Sequence, residues 1–293
     1  MATETTTESV YGHGFPRISE SAATGVGGLF SEIAWVCYRS LRKLSRNPFL
    51  LMFTLLMPLI WLGLFSQTFG TLFSKAASSG GAPALPYDYI AVLLPGIAIM
   101  TAIQSAAQSG FAMVTDIETG FMDKFFVAPI RRSSVLIGKL LADGLRMAAQ
   151  AGIVLVIAYV FTLAFHWRIP FATGIPGDLL IVTLAAAFGV AFSGLSNSVA
   201  LFTKSTESTM MVSFTLTFPL LFLSTAMVPL ALLPGWVQTF SSYNPVSYVA
   251  TAARAMILSG YNWTEIGQAF AAIAIVGILL NGLAVVAFRR QGR

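Results

Sequence analysis

YIAVLLPGIAIMTAIQSAAQSGFAMV, residues 89–114, runs without a single Asp, Glu, Lys or Arg. A helix rising ~1.5 Å per residue needs about 20 apolar residues to cross ~30 Å of hydrocarbon, so this stretch reads as one bilayer crossing. One similar run precedes it, at residues 49–69, and four follow, at 147–165, 179–202, 210–228 and 269–288. None alternates with a two-residue period, and unpaired backbone groups are costly in lipid, so these are helices rather than barrel strands. The expected fold is an all-α membrane protein with six transmembrane helices. Composition agrees: 56% of the 293 residues are hydrophobic and only 10% charged, too few to cover a water-soluble body of this size.

Basic residues then set the orientation, because Lys and Arg near span ends stay on the cytoplasmic side. With both termini cytoplasmic, only Lys75, Arg168 and Arg254 of the 17 basic residues fall outside. An odd number of crossings would scramble that split. The chain is therefore expected to be a multi-pass protein of the plasma (inner) membrane. Its net charge of +5 reads as orientation and contact with anionic membrane lipids, and no separate basic region is present to bind nucleic acid. Residues 1–30 contain no apolar run and are expected to be a disordered cytoplasmic tail, leaving 31–293 as the membrane domain. The single Cys37 has no internal disulfide partner, and His13 and His166 lie too far apart to begin a metal cluster.

Two polar segments lie beside the spans. Residues 31–46, SEIAWVCYRSLRKLSR, place Ile33, Trp35, Val36, Leu41 and Leu44 on one broad side and Arg39, Arg42, Lys43 and Arg46 on the other. That is the pattern of a helix lying in the membrane interface, either as a simple anchor or as part of a docking surface. Residues 115–146 are too long for a turn between adjacent helices. Asp116, Glu118, Asp123 and Lys124 alternate there with Phe121, Met122, Phe125, Phe126 and Val127, which suits a short amphipathic helix. Pro129 ends it, and Ser133 or Ser134 can cap a second helix running into span three.

The order Glu118, Gly120, Pro129, then Gly138-Lys139-Leu140-Leu141 resembles the cytoplasmic loop of ABC-2 type exporter permeases, particularly the daunorubicin-resistance branch. A second similarity begins at Pro229-Leu230-Ala231-Leu232-Leu233-Pro234-Gly235-Trp236 and continues through Tyr243-Asn244-Pro245-Val246-Ser247-Tyr248 to Arg254. The resemblance covers about residues 30–290. It implies a subunit that pairs with a second permease copy or paralogue and with two ATP-binding cassette subunits, a 2+2 complex exporting hydrophobic or amphipathic molecules. The loop helix would be its coupling helix, with Glu118, Gly120, Phe125, Phe126, Pro129, Arg131, Arg132 and Lys139 as candidates for contact with the ATPase. ATP and Mg²⁺ would belong to that partner and no cofactor to this chain. The residues agree: Gly25-Val26-Gly27-Gly28 runs into Leu29 and Phe30, and Gly138-Lys139 into Leu140, so neither forms a GxxxxGK[ST] phosphate loop.

Gln104 and Gln108 share a helical face with Ser105 and Ser109 alongside, and span four carries Ser193 and Asn197 at the same spacing. These amides and hydroxyls either pack helices together or line a substrate path. The proposed spans contain no fixed charge, which favours an amphipathic substrate over an ion. After span five the chain stays apolar but is broken at Pro229, Pro234 and Asn244-Pro245. Two short re-entrant helices on the outer face fit this pattern, and the resemblance implies an external gate, with Pro234, Asn244, Pro245, Tyr248 and Arg254 as its candidates. An ordinary external loop is the simpler alternative. Two readings from other classes remain at this point: a membrane scaffold that recruits a cytoplasmic protein without transporting, and an intramembrane lipid-modifying enzyme. The second lacks any Ser/His, His/Glu or paired-carboxylate constellation within the spans.

Overall fold

The computed structural model describes residues 33–35, 37, 38, 42, 48–79, 86–120, 132–230 and 233–290. The expected N-terminal tail and the aromatic stretch at 121–131 lie outside these residues. Where the interfacial helix is expected, residues 33–35, 37, 38 and 42 are helical. The helices that follow are α1 (Pro48–Ser78), α2 (Tyr89–Glu118), α3 (Arg132–Phe165), α4 (Gly174–Thr203), α5 (Thr206–Phe222), α6 (Gly235–Tyr243), α7 (Pro245–Leu258) and α8 (Trp263–Arg290). The described residues contain no strand.

Among the described residues, four helical stretches are long and apolar enough to cross a membrane: Tyr89–Glu118, Ile137–Ala164, Gly174–Thr203 and Trp263–Phe288. Their surroundings differ. The most apolar window of α2 is 94% buried inside the protein, against 17% for α8. A helix apolar on all sides and enclosed by protein is a bundle axis, whereas α8 turns Ile275, Ile278, Leu279 and Leu283 outward. Around α2 stand α1, α3, α4, α5 and α7, and α8 closes against α4 and α7.

Small residues bring the axes together. A Cβ at Gly110 of α2 would lie 2.5 Å from the Ser196 carbonyl oxygen of α4, and one at Gly194 would lie 2.5 Å from the Asn281 backbone nitrogen of α8. Only glycine permits such approaches, the means by which membrane helices gain dispersion contacts when no hydrophobic force drives them together. Asn281 adds polar anchoring, its amide donating to the carbonyls of Val190 (3.3 Å) and Ala191 (3.2 Å).

The helix expected to run from Ser133 or Ser134 into span three is present and starts at Arg132, so Lys139, Asp143 and Arg146 lie on the same continuous helix as the apolar run. One expectation is corrected. The fifth apolar run is not helical to residue 228. Pro219 removes one backbone donor, α5 stops at Phe222, and residues 223–228 fold into a turn against α2 and α7. A Cβ at Gly96 would lie 1.7 Å from the Ala226 carbonyl oxygen, so this turn presses directly on the α2 backbone.

Candidate functional site

Between the main apolar core and a smaller cluster of Met113, Val114, Val135, Ala200, Leu201, Ala287 and Phe288 lies a buried polar layer. Its centre is one stripe of α3: Lys139, Asp143, Arg146 and Gln150, spaced i, i+4, i+7, i+11 and therefore on one helical face. The Lys139 and Asp143 side chains are 12% exposed and that of Arg146 10%. Asp143 pairs with Lys139 through Oδ2 at 3.1 Å and with Arg146 through Oδ1 at 3.3 Å. The stripe reaches across to α2. Lys139 Nζ donates to the Ser109 carbonyl at 3.0 Å and to its hydroxyl at 2.6 Å, and Arg146 donates to the Ser105 carbonyl at 2.8 Å. The Ser109 hydroxyl donates to Asp143 and that of Ser105 to Gln150. Asn197 joins from α4, its side-chain oxygen 3.2 Å from Lys139 Nζ and 3.1 Å from the Ser109 hydroxyl.

The layer places buried charge beside the third proposed span, whose own residues carry none. Residues 139–146 read as a cytoplasmic segment in the sequence, but the unbroken helix carries them between α2 and α4, where charges persist only when paired and hydrogen-bonded.

The candidate path residues separate into two groups. Ser193 and Asn197 are fully buried; Ser193 donates to its own helix at Val190, and Asn197 belongs to the ionic layer. Gln104 and Gln108 are half-buried and make no side-chain hydrogen bond among the described residues. With Phe111, Ala112 and Thr115 they form an open stripe on the C-terminal half of α2. Ser105 and Ser109, next to them in sequence, point the other way into the layer.

Of the coupling candidates, Glu118 is exposed at the end of α2. Gly120 has φ 63° and donates to the Ile117 carbonyl, the left-handed residue that stops the helix and releases the chain into the following segment. Phe125, Phe126, Pro129 and Arg131 lie outside the described residues, Arg132 is the first residue of α3, and Lys139 sits in the layer.

As expected after the fifth apolar run, two short helices, α6 and α7, meet at Asn244-Pro245. Asn244 is buried and serves three backbone groups at once. Its Oδ1 accepts from Val246 N at 3.0 Å, capping α7, while its amide donates to the carbonyls of Leu220 (2.7 Å) and Leu223 (3.0 Å) at the end of α5. Arg254 extends the brace by donating to Val92 O at 3.2 Å, Ala226 O at 3.3 Å and Thr225 O. Orphan carbonyls left where α5 breaks are thus satisfied by side chains of α7 and its cap. Pro245 opens α7, and Tyr248, still partly exposed, donates to Ser242 O at 2.7 Å. Pro234, the cap residue before α6, is exposed. The outer face of α6 leaves Trp236, Phe240 and Tyr243 exposed.

Comparison with known proteins bears on this arrangement. The sequence signature of the ABC-2 type transporter family matches residues 31–258, most of the chain. The chain belongs to that family. It is 26% identical over 245 residues to the daunorubicin resistance ABC transporter permease protein DrrB1 of Streptomyces coeruleorubidus, covering 84% of this chain and 80% of that one. It is 29% identical over 252 residues to the putative transport permease ycf38 of Cyanophora paradoxa, covering 84% and 81%. A probable doxorubicin resistance ABC transporter permease protein, DrrC of Mycobacterium tuberculosis, is 29% identical over 168 residues, 57% of this chain and 58% of its own. The signature ends with α7, short of the expected 290; α8, beyond it, packs against α4 and α7.

The residues that sequence reasoning missed in this ABC-2 permease are Asp143, Arg146 and Gln150. Their signal was available: four polar side chains at 139, 143, 146 and 150 fall on one face, and Met147, Ala151, Val154 and Ala158 continue as a buried apolar face beside it.

Proposed function

We propose that this ABC-2 permease is the transmembrane half of an ATP-driven exporter that moves a hydrophobic or amphipathic molecule out of the cytoplasm or inner leaflet. In this reading α1 to α5 and α8 make six crossings with both termini cytoplasmic, and α6–α7 form a re-entrant external element. Two permeases, identical or paralogous, assemble with two ATP-binding cassette subunits that carry ATP and Mg²⁺. The segment at 121–131, with Glu118, Gly120 and the start of α3 at its borders, docks the ATPase. Closure of the ATPase pair displaces that segment, tilts α2 to α5 and opens an outward path near Asn244 and Tyr248.

The observation that carries the reading is the open stripe of α2. In a helix otherwise enclosed by protein, Gln104 and Gln108 keep their amides unbonded, and an amide left against hydrocarbon would lose several kcal/mol. A second permease copy and a wet path between the two would satisfy them. The drug-resistance names of DrrB1 and DrrC support a bulky, amphipathic cargo.

The test is reconstitution. The permease is purified with its cassette subunit, placed in proteoliposomes and given ATP and daunorubicin. ATP-dependent daunorubicin movement, or daunorubicin-dependent ATPase activity, is expected. A cassette subunit that binds but hydrolyses ATP at one rate whatever amphipathic compound is offered would favour the scaffold, and a modified lipid product would favour the enzyme.

A further inference from the structure

We infer that Lys139, Asp143, Arg146 and Gln150 form a clamp by which α3 moves the α2 turns that carry Gln104 and Gln108. The inference rests on the exporter reading and names the positioning residues that would make it work.

Three observations meet in it. First, the stripe grips α2 only at Ser105 and Ser109, and it holds both residues by backbone carbonyl and by hydroxyl. Gln104 and Gln108 are the immediate sequence neighbours of these two serines and lie on the open side of the same turns. A displacement of α3 along its axis is therefore delivered to the candidate path. Second, α3 starts at Arg132, next to the segment at 121–131, and Lys139 lies only two turns further on. Third, stability does not account for the charges. Buried ion pairs contribute little beyond what well-packed apolar residues of similar volume provide, and close glycine contacts, Gly189 against Met147 and Gly110 against Ser196, already tie α3 and α2 each to α4.

What ionic hydrogen bonds add is direction. Donors fixed on particular carbonyls define the axial register of one helix on the next more narrowly than apolar packing alone. The network also has room to change partners. Lys139 Nζ has four oxygens within 3.2 Å, more than its three protons can serve at once. Arg146 Nε and Asn197 Nδ2 are buried and make no hydrogen bond with a described residue. A second arrangement has donors in reserve.

The test places a single cysteine, Gln104→Cys in a Cys37→Ser background, in the permease reconstituted with its cassette subunit. Labelling by a water-soluble maleimide is then followed without nucleotide and with ATP, Mg²⁺ and vanadate. With the network intact, the two rates should differ. In the volume-matched apolar variant Lys139→Met/Asp143→Leu/Arg146→Met, folding and cassette binding should survive while the nucleotide-dependent difference is lost. A difference that persists in this variant, or its absence in the intact network while ATP is hydrolysed, overturns the clamp. If the triple variant fails to accumulate, Gln150→Leu replaces it: a diminished difference is expected, and an unchanged one refutes the clamp. Asp143→Asn in the chain alone supplies an arm that needs no partner. It should change labelling at Gln104→Cys while leaving Ser259→Cys on the outer side unaffected, and equal rates at Gln104→Cys with and without the substitution would count against the clamp. A chain that binds no cassette subunit defeats the exporter reading instead.

Discussion

Asn244 is expected to behave as a brace whose side-chain oxygen and nitrogen have separable roles. Asn244→Ala removes the α7 cap, for which typical substitutions cost ~1 kcal/mol, and both donations to the end of α5, at ~0.6–1.5 kcal/mol each depending on how strongly the membrane environment competes. The loss should therefore be about 2–4 kcal/mol. Asn244→Asp discriminates further. A carboxylate keeps the cap, because an oxygen still faces Val246 N, but it turns a second oxygen toward the carbonyls of Leu220 and Leu223, 2.7 and 3.0 Å from the present amide nitrogen. At a site only 6% exposed, three acceptors and no donor is worse than an alanine that leaves two carbonyls merely unpaired. The expected order of thermal stability in lipid nanodiscs, followed by intrinsic fluorescence, is wild type, then Ala, then Asp. If Asp matches the wild type, the amide donations to α5 carry no energy and the brace is wrong; if Asp falls between wild type and Ala, the cap outweighs them.

Three further outcomes are expected. Gly96→Ala should lower thermal stability by roughly 1–3 kcal/mol or more, because its Cβ would meet the Ala226 carbonyl oxygen at 1.7 Å, while Gly282→Ala, with nothing within 4 Å, should be neutral or gain up to ~1 kcal/mol; equal effects in the same unfolding assay would refute the close approach. Replacing Phe125 and Phe126 together by Ala should abolish co-purification with the cassette subunit while membrane insertion persists, since interface anchors of this size carry over ~2 kcal/mol, and unchanged assembly would remove the docking assignment. Ser242→Cys, exposed near the end of α6, should react with an impermeant maleimide added outside intact cells; labelling only after the cytoplasm is opened would overturn the orientation and the six-crossing count together.

Helix class and most crossings were legible because lipid demands long apolar runs, and residues 89–114, 179–202 and 269–288 meet that demand without interruption. The break between α6 and α7 was legible for a local reason: Asn before Pro caps a helix by its own chemistry, whatever surrounds it. Two features were not. Residues 210–228 have enough apolar length to be helical throughout, and what ends α5 at Phe222 is partly distant, the donors of Asn244 and Arg254 that make its broken end tolerable in a buried place. The destination of Gln104 was hidden as well, since its face and that of Ser105 differ by one residue and only packing decides which one turns inward.

The ionic stripe of α3 marks where hydropathy reasoning fails in a membrane protein. Counting charges by segment assigns Lys139, Asp143 and Arg146 to water, because an isolated charge in hydrocarbon is costly. Three charges on one helical face are not isolated: Asp143 neutralises one cation, and the carbonyls of Ser105 and Ser109 solvate both. The relevant unit is therefore the face, read at i, i+4 and i+7, and on that unit the segment is amphipathic in the sense opposite to a surface helix. Its exposed side carries Ile137, Leu141 and Leu145, while its charges point inward. A helix built inside out turns its apolar side away from the bundle and its charges toward a polar partner, and the partner here is α2, whose own open stripe faces away.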